Sequence, residues 1–419
     1  MKSWLANCLR NHATCRETST STTRNYLPSR LLDLGHPGDV EVRLWIRQRS
    51  LERDFRHPYM TLSHRWDDSE SKGLEVRRHQ LKLTLRNIEK LCEGIRLDVL
   101  PNTWKDAIVI ARAIGARFLW IDSLCIIQEK YPHLDFYQET QHMADIYGNS
   151  QCNITAIGAD ISEAGCMYER NPYTVKPCRI SIEHNGERKD SYLIPTSLWE
   201  EEVDFRPLQG RGWVFQELML APRILHLSRR QIYWQCHELK ACEVFPGGIP
   251  LYVTRKDMPS LPKLIHDKGI LSNIGVAQAA WEKILLTYTS LNLSLAEDKL
   301  NALMGVIKHM EVVLSDKCVA GLWSMHIPQQ LLWRSPSGNT MANEKRKAFR
   351  APTWSWASTD RQIQSGPFYV NDSHIAAEVI EISFNGDKIP LEANHRVDIP
   401  GEIKYGFLSI LGNLATAEL

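Results

Sequence analysis

Residues 119–128 read Leu-Trp-Ile-Asp-Ser-Leu-Cys-Ile-Ile-Gln, and this short run decides the fold. It is apolar, too short to cross a bilayer and rich in strand formers, so it reads as a buried central strand. Asp122 falls where that strand should end, and Cys125 follows one short turn later. In open parallel sheets ligands bind outside the carboxyl ends of the strands, so polar groups at that edge are placed for chemistry.

Upstream, Tyr-Met-Thr-Leu-Ser at 59–63 is a second strand, which delivers His64, Arg65 and Trp66 at its end. A helix is expected over 81–91. A stronger one follows, capped by Asn102 or Thr103, with Trp104, Ala107, Ile108, Ala111 and Ile114 on one face and Gly115 as its stop. Downstream, Asp135 opens a helix whose inner face includes Met143, Ile146 and Tyr147, and 152–159 (CNITAIGA) is the next buried strand. Strand, helix, strand, helix, strand at this spacing is the βαβ pattern. Over roughly residues 55–165 it predicts an α/β fold, a parallel sheet with helices on both faces.

The flanks read differently. Residues 1–54 form an amino-terminal helix, a Ser/Thr-rich connector and an edge hairpin that includes 40–46. Residues 166–205, with Pro172, Pro177 and Pro195, look like a loop-rich insertion. Arg211 to Leu220 begins a helix, and 224–227 and 231–234 are two strands. The central region is therefore taken as 55–240. A mostly helical stretch follows over 241–345, with Trp281, Ile284, Leu285 and Tyr288 at helical spacing. A smaller β-rich region spans 346–419, and it is expected to be incomplete at Leu419.

A chain of 419 residues carrying a net charge of +1 has no field that predicts a nucleic-acid or anionic-membrane partner. No stretch has about 18 uninterrupted apolar residues, so no transmembrane helix is expected. The start, MKSWLANCLRNHATC, has no apolar leader core, and ten cysteines in that context argue for reduced thiols in the cytosol or nucleus, of which a cytoplasmic location is the one expected. Cys8, His12 and Cys15 make a C-x3-H-x2-C group. Zinc would need a fourth ligand, and Cys236, His237 and Cys242 are the other dense cluster. Buried small thiols beside a surface histidine are the preferred reading, so no metal is expected.

Three blocks together resemble the fungal heterokaryon incompatibility (HET) domain family. They are Tyr59-Met-Thr-Leu-Ser-His-Arg-Trp66; Pro101 to Gln128, continuing to Met143-Ala-Asp-Ile-Tyr147; and Arg211-Gly-Trp-Val-Phe-Gln-Glu217. The flanks agree: the amino-terminal Trp/Cys/His/Cys segment, Glu297-Asp298-Lys299, and Ala351-Pro-Thr-Trp-Ser-Trp356. Asp67 departs from the pattern, which has glycine there. The resemblance implies a flavodoxin-like core related to TIR domains and a role in non-self recognition and programmed cell death. It also implies cleavage of nicotinamide dinucleotides, with NAD as substrate and no cofactor. Its implied partners are a small-molecule nucleotide, and further copies or other cell-death signalling proteins.

Cleaving a nicotinamide N-glycosidic bond passes through an oxocarbenium-like state, which a carboxylate near the ribose stabilises while aromatics hold the ring. Glu217 is the first candidate, one helical turn from Trp213, with Arg211 able to meet phosphate. Equally, Glu217 could pair with Arg211 or Arg223 and fix its helix to the sheet. Asp122 could bind ribose hydroxyls, act as a base, or cap its own turn. Cys125 is a candidate nucleophile paired with His64, against a bland reading as packing. Ser63, His64 and Trp66 complete the binding set. Glu217, Asp122 and His64 are expected to border one cavity. No phosphate-binding glycine loop and no Gly-x-Ser-x-Gly elbow is present, which disfavours dehydrogenase, P-loop and α/β-hydrolase chemistry. Two rivals stand beside the nucleotide-cleaving reading: a self-associating signalling module without chemistry, and a small-molecule enzyme using Cys125 or His64.

Overall fold

The computed structural model describes residues 1–20, 26–50, 57–65, 81–129, 134–159, 164–184, 187–195, 197–250, 253, 261–266, 273–336, 350–366, 377–385, 387–389 and 406–412. Trp66 and Asp67 lie outside the described residues. The chain divides into two compact units, Met1–His266 and Asp267–Leu419.

The first unit is built on one nine-stranded sheet. Helices α1 (Lys2–Asn11) and α2 (Ala13–Thr20) precede strands β1 (Arg30–Asp33) and β2 (Glu41–Ile46). Then come β3 (Tyr59–Ser63), α3 (Ile88–Glu93), β4 (Ile95–Arg96), α4 (Asn102–Ile114), β5 (Phe118–Trp120) and α5 (Asp122–Cys125). Next are α6 (Leu134–Gln141), α7 (Met143–Asn149), β6 (Asn153–Thr155) and a hairpin of β7 (Cys178–His184) and β8 (Glu187–Leu193). Helix α8 (Gly212–Leu220) leads into β9 (Arg223–Leu227), β10 (Ile232–Cys236) and β11 (Lys240–Cys242). The strand order is β11-β10-β9-β6-β3-β5-β1-β2-β4.

The inner four strands, β9, β6, β3 and β5, run parallel, as the βαβ spacing predicts. Antiparallel strands extend the sheet on both sides, β10 and β11 beyond β9, and β1, β2 and β4 beyond β5. The expected purely parallel core is thus a mixed sheet. The strand in the opening stretch is also shorter than its apolar run. Ile121 is still extended, but Asp122 starts a one-turn helix that carries Cys125 at its end. Helix α3 occupies only part of the segment expected to be helical, because residues 81–87 are turn and irregular backbone. Gly115 does end α4, in the left-handed conformation at φ 105° that glycine alone adopts without strain.

Side chains alternate along each strand and so sort onto two faces. On one face Met60, Leu62, Leu119, Ile121, Ile154, Leu225 and Trp234 join Trp4, Leu5, Trp104, Ala107, Ile108 and Ala111 in a continuous apolar core, placing α1 and α4 there. The other face carries buried polar groups across the middle strands: Thr61 and Ser63 of β3, Asn153 and Thr155 of β6, and His226 of β9. Arg30 of β1 anchors the segment beyond α5. Its Nη2 meets both carboxylate oxygens of Asp135 at 2.6 and 2.7 Å, and its Nε donates to the Cys125 carbonyl at 2.6 Å.

Among the described residues the second unit's longer helices are Ile274–Tyr288 and Met304–Leu314, and it holds a three-stranded antiparallel sheet with Ala377–Phe384 in the middle. Asn273 caps the first helix by accepting from Gly275 N–H and Val276 N–H. Trp281, Ile284, Leu285 and Tyr288 form its buried face, as their spacing indicates. No helix among the described residues is long and apolar enough to cross a membrane.

Candidate functional site

The parallel registers bring the candidates together. Thr61 pairs with Trp120 on one side of β3 and with Asn153 on the other. Two residues further on, Ser63 ends its strand opposite Thr155. Asn153 holds this corner: its Nδ2 donates to Ser63 Oγ at 2.9 Å, and its Oδ1 accepts from Thr61 Oγ1 at 3.0 Å.

Helix α8 is apolar on almost every face and mostly buried, so it packs into the interior. It stops at Ala221, which is extended, as a residue before proline prefers. Glu217 is therefore carried into the interior, with 6% of its surface exposed. Ser63 Oγ donates to its carboxylate, and so does the Tyr147 hydroxyl from α7. Two hydroxyls hold the group, not the guanidinium of Arg211 or Arg223. Burial pushes the Glu217 carboxyl from 4.5 up to about 7, and the negative charge of Asp122 pushes the same way. The Ser63 and Tyr147 hydrogen bonds and the charge of Arg211 pull in the opposite direction. Tyr147 is itself raised, first by burial and then by the Glu217 charge.

Around this buried centre, Asp122, Arg211 and Trp213 are half-buried. Asp122 accepts from the backbone N–H of its neighbour Ser123 at 2.7 Å. Arg211 Nη1 donates to the His64 carbonyl at 2.9 Å and ties the end of β3 to the start of α8. Arg223 turns elsewhere, donating from Nε to Cys8 Sγ at 3.2 Å.

Matching these positions, the model of the family described as heterokaryon incompatibility protein (HET) fits residues 59–217. Residues 59–217 are a heterokaryon incompatibility domain. The fitted segment of the HET domain begins at the first residue of β3 and ends at Glu217 itself. No curated protein and no solved structure matches the chain.

Other expected site residues of the HET domain fall differently. The His64 ring is buried and packs edge-on against Trp104, with centroids 5.7 Å apart. Cys125 is fully buried, and burial pushes its thiol up to about 12, which keeps it protonated and unreactive at neutral pH. The described clefts, of about 640 and 380 Å³, are lined respectively by residues such as Val40, Arg96 and Arg112, and by Lys176, Leu198 and Tyr233. Neither includes Glu217, Asp122 or His64.

The residues missed from sequence are Tyr147, noted only as an inner-face aromatic, and Asn153. The signal for Asn153 was available: an asparagine opening an apolar run at a strand position carries side-chain polarity that the sheet interior must satisfy.

Proposed function

We propose that this HET domain hydrolyses the N-glycosidic bond of a nicotinamide dinucleotide at the Ser63–Tyr147–Glu217 centre, in the setting of fungal non-self recognition and cell death. The observation that carries the reading is the Glu217 carboxyl. It is buried, oriented by two hydroxyls, and raised to about 7 by burial first and then by the charge of Asp122. The arrangement of parallel strands supports a flavodoxin-like, TIR-related reading. Their order β5-β3-β6-β9 is the 2-1-3-4 order of that fold, whose switch point lies between β3 and β6, where Ser63 ends its strand.

In this reaction the bond between the ribose C1′ and the ring nitrogen breaks, and its electron pair neutralises the pyridinium. Ionised Glu217 stabilises the positive charge that develops on the ribose, and Asp122 orients the ribose hydroxyls. Water then adds to C1′, and a carboxylate receives its proton. Arg211 faces the phosphates and Trp213 the nicotinamide ring. Cys125 has no part in this scheme.

The test is nicotinamide release from NAD by the purified full chain, against Glu217→Gln and Asp122→Asn. Loss in both variants with the fold intact supports the reading, and no turnover by the wild type removes it. One observation favours a second reading. Glu217 is closed off and satisfied by hydroxyls, which is also how a helix is pinned to a sheet, so the module would signal by self-association without chemistry. Concentration-dependent oligomers without nicotinamide release would decide for it.

A further inference from the structure

The amino-terminal helices hold a second constellation. Cys8 lies in α1, His12 sits in the break between the two helices, and Cys15 lies in α2. The break at His12, where the backbone turns extended, aims all three side chains to one side. Cys236, the last residue of β10, meets them there, 224 residues beyond His12. The four ligand atoms lie within 4.8 Å of one another, and His12 Nδ1 is 3.2 Å from Cys236 Sγ.

We infer that Cys8, His12, Cys15 and Cys236 bind one zinc ion. A tetrahedral ion with sulfur ligands at about 2.3 Å places its ligand atoms roughly 3.7 Å apart, a small contraction of what is present. Three thiolates and an imidazole are the donor set that selects zinc among the common divalent ions. Three clustered cysteines cannot all be satisfied by a disulfide, and none of the ten cysteines of the chain forms one.

The surroundings suit a negatively charged centre. Three thiolates around zinc carry a net charge of −1, and the Arg223 guanidinium donates to Cys8 Sγ. His12 Nε2 lies 3.3 Å from the Asn7 amide, and a half-turn of that amide presents its oxygen to an Nε2–H while Nδ1 ligates. Cys8 and Cys15 are fully buried and Cys236 nearly so, leaving no coordination position for substrate. The ion is structural: it fastens α1 and α2 to the end of β10.

The test uses the untagged full chain, purified under reducing conditions. Elemental analysis should find one zinc per chain, released by a mercurial. Cys15→Ala and Cys236→Ala should reduce it to traces, while Cys242→Ala, also buried but outside the cluster, should retain it. Because the ligand variants could fail to fold, the wild type also carries the test. Chelator-stripped chain should gain thermal stability on adding zinc but not magnesium, and cobalt(II) should give the intense visible absorption of tetrahedral thiolate ligation. Folded wild type with only traces of zinc, a cobalt spectrum of octahedral oxygen ligation, or a disulfide among these cysteines would overturn the assignment.

Discussion

Ser63, the last residue of β3, donates its hydroxyl to the carboxylate of Glu217 in α8, across 154 residues of chain. The bond joins the carboxyl end of the middle strand to the helix that closes over it. Both partners are buried, so the same contact bears on stability and on the proposed chemistry.

The raised carboxyl makes stability depend on pH. Between about 4.5 and about 7 the folded chain binds a proton at Glu217 that the unfolded chain does not. Its contribution is fully present below pH 4.5 and is lost as pH rises through 7. Urea denaturation of the wild type from pH 5 to 8 should lose up to about 3 kcal/mol relative to Glu217→Gln. Parallel profiles for the two proteins would contradict a buried, elevated carboxyl.

Catalysis should follow the opposite limb. If ionised Glu217 stabilises the ribose cation, kcat/KM for nicotinamide release rises through about pH 7 and levels off above it. Glu217→Gln should lower the plateau by roughly 10²–10³-fold and abolish that inflection. A rate that falls with pH over the same range would assign the carboxyl the acid role instead.

Ser63→Ala removes one of the two hydroxyls that hold the group. The lost donor should cost about 1–3 kcal/mol, measured at pH 8 where the carboxylate is ionised. The Ser63 hydrogen bond lowers the Glu217 pKa, so its removal should move the kinetic inflection above 7. An unchanged inflection would leave Tyr147 as the sole orienting donor.

Arg30 and Asp135 form a bidentate pair with 9% and 17% of their side chains exposed. Arg30→Met strands the Asp135 carboxylate and the Cys125 carbonyl, and should cost about 3–5 kcal/mol in chemical denaturation. The double variant with Asp135→Asn should recover part of that loss. Additive losses would show the pair is not coupled.

Thiol labelling separates the cysteines. Cys178 is exposed, whereas Cys125 is fully buried and pushed up to about 12. Native chain treated with iodoacetamide should label Cys178 and leave Cys125 untouched until it unfolds, and Cys125→Ala should keep any nicotinamide-releasing activity. Early alkylation of Cys125 would restore it as a candidate nucleophile.

Sequence periodicity carried the parallel core because β3, β5 and β6 are nearly all apolar or small and are separated by amphipathic helical segments. It overran the strand at 119–128, where Asp122 prefers to begin a turn even though the residues after it stay apolar. Hydrophobicity marks burial and cannot tell a strand from a buried one-turn helix. The flanking strands β1, β2, β9 and β10 were legible locally, but the pairing of β1 with β5 was not, since it joins Leu32 to Leu119 across 87 residues of chain. Asp122 was legible as a carboxylate at a strand end and Glu217 as an acid one helical turn from Trp213, while Tyr147 was not, because only the tertiary fold gives it a polar neighbour.

The family match covers residues 59–217, yet the sheet it lies in does not stop at those limits. Strand β5 is completed by β1 from before them, and β6 by β9 from after them. A fragment cut to the matched segment would bare two rows of backbone donors and acceptors on a flat apolar ribbon, the template on which chains stick to one another. Clumping of such a piece would therefore say nothing about signalling. The natural unit of inheritance here is shorter than the natural unit of folding.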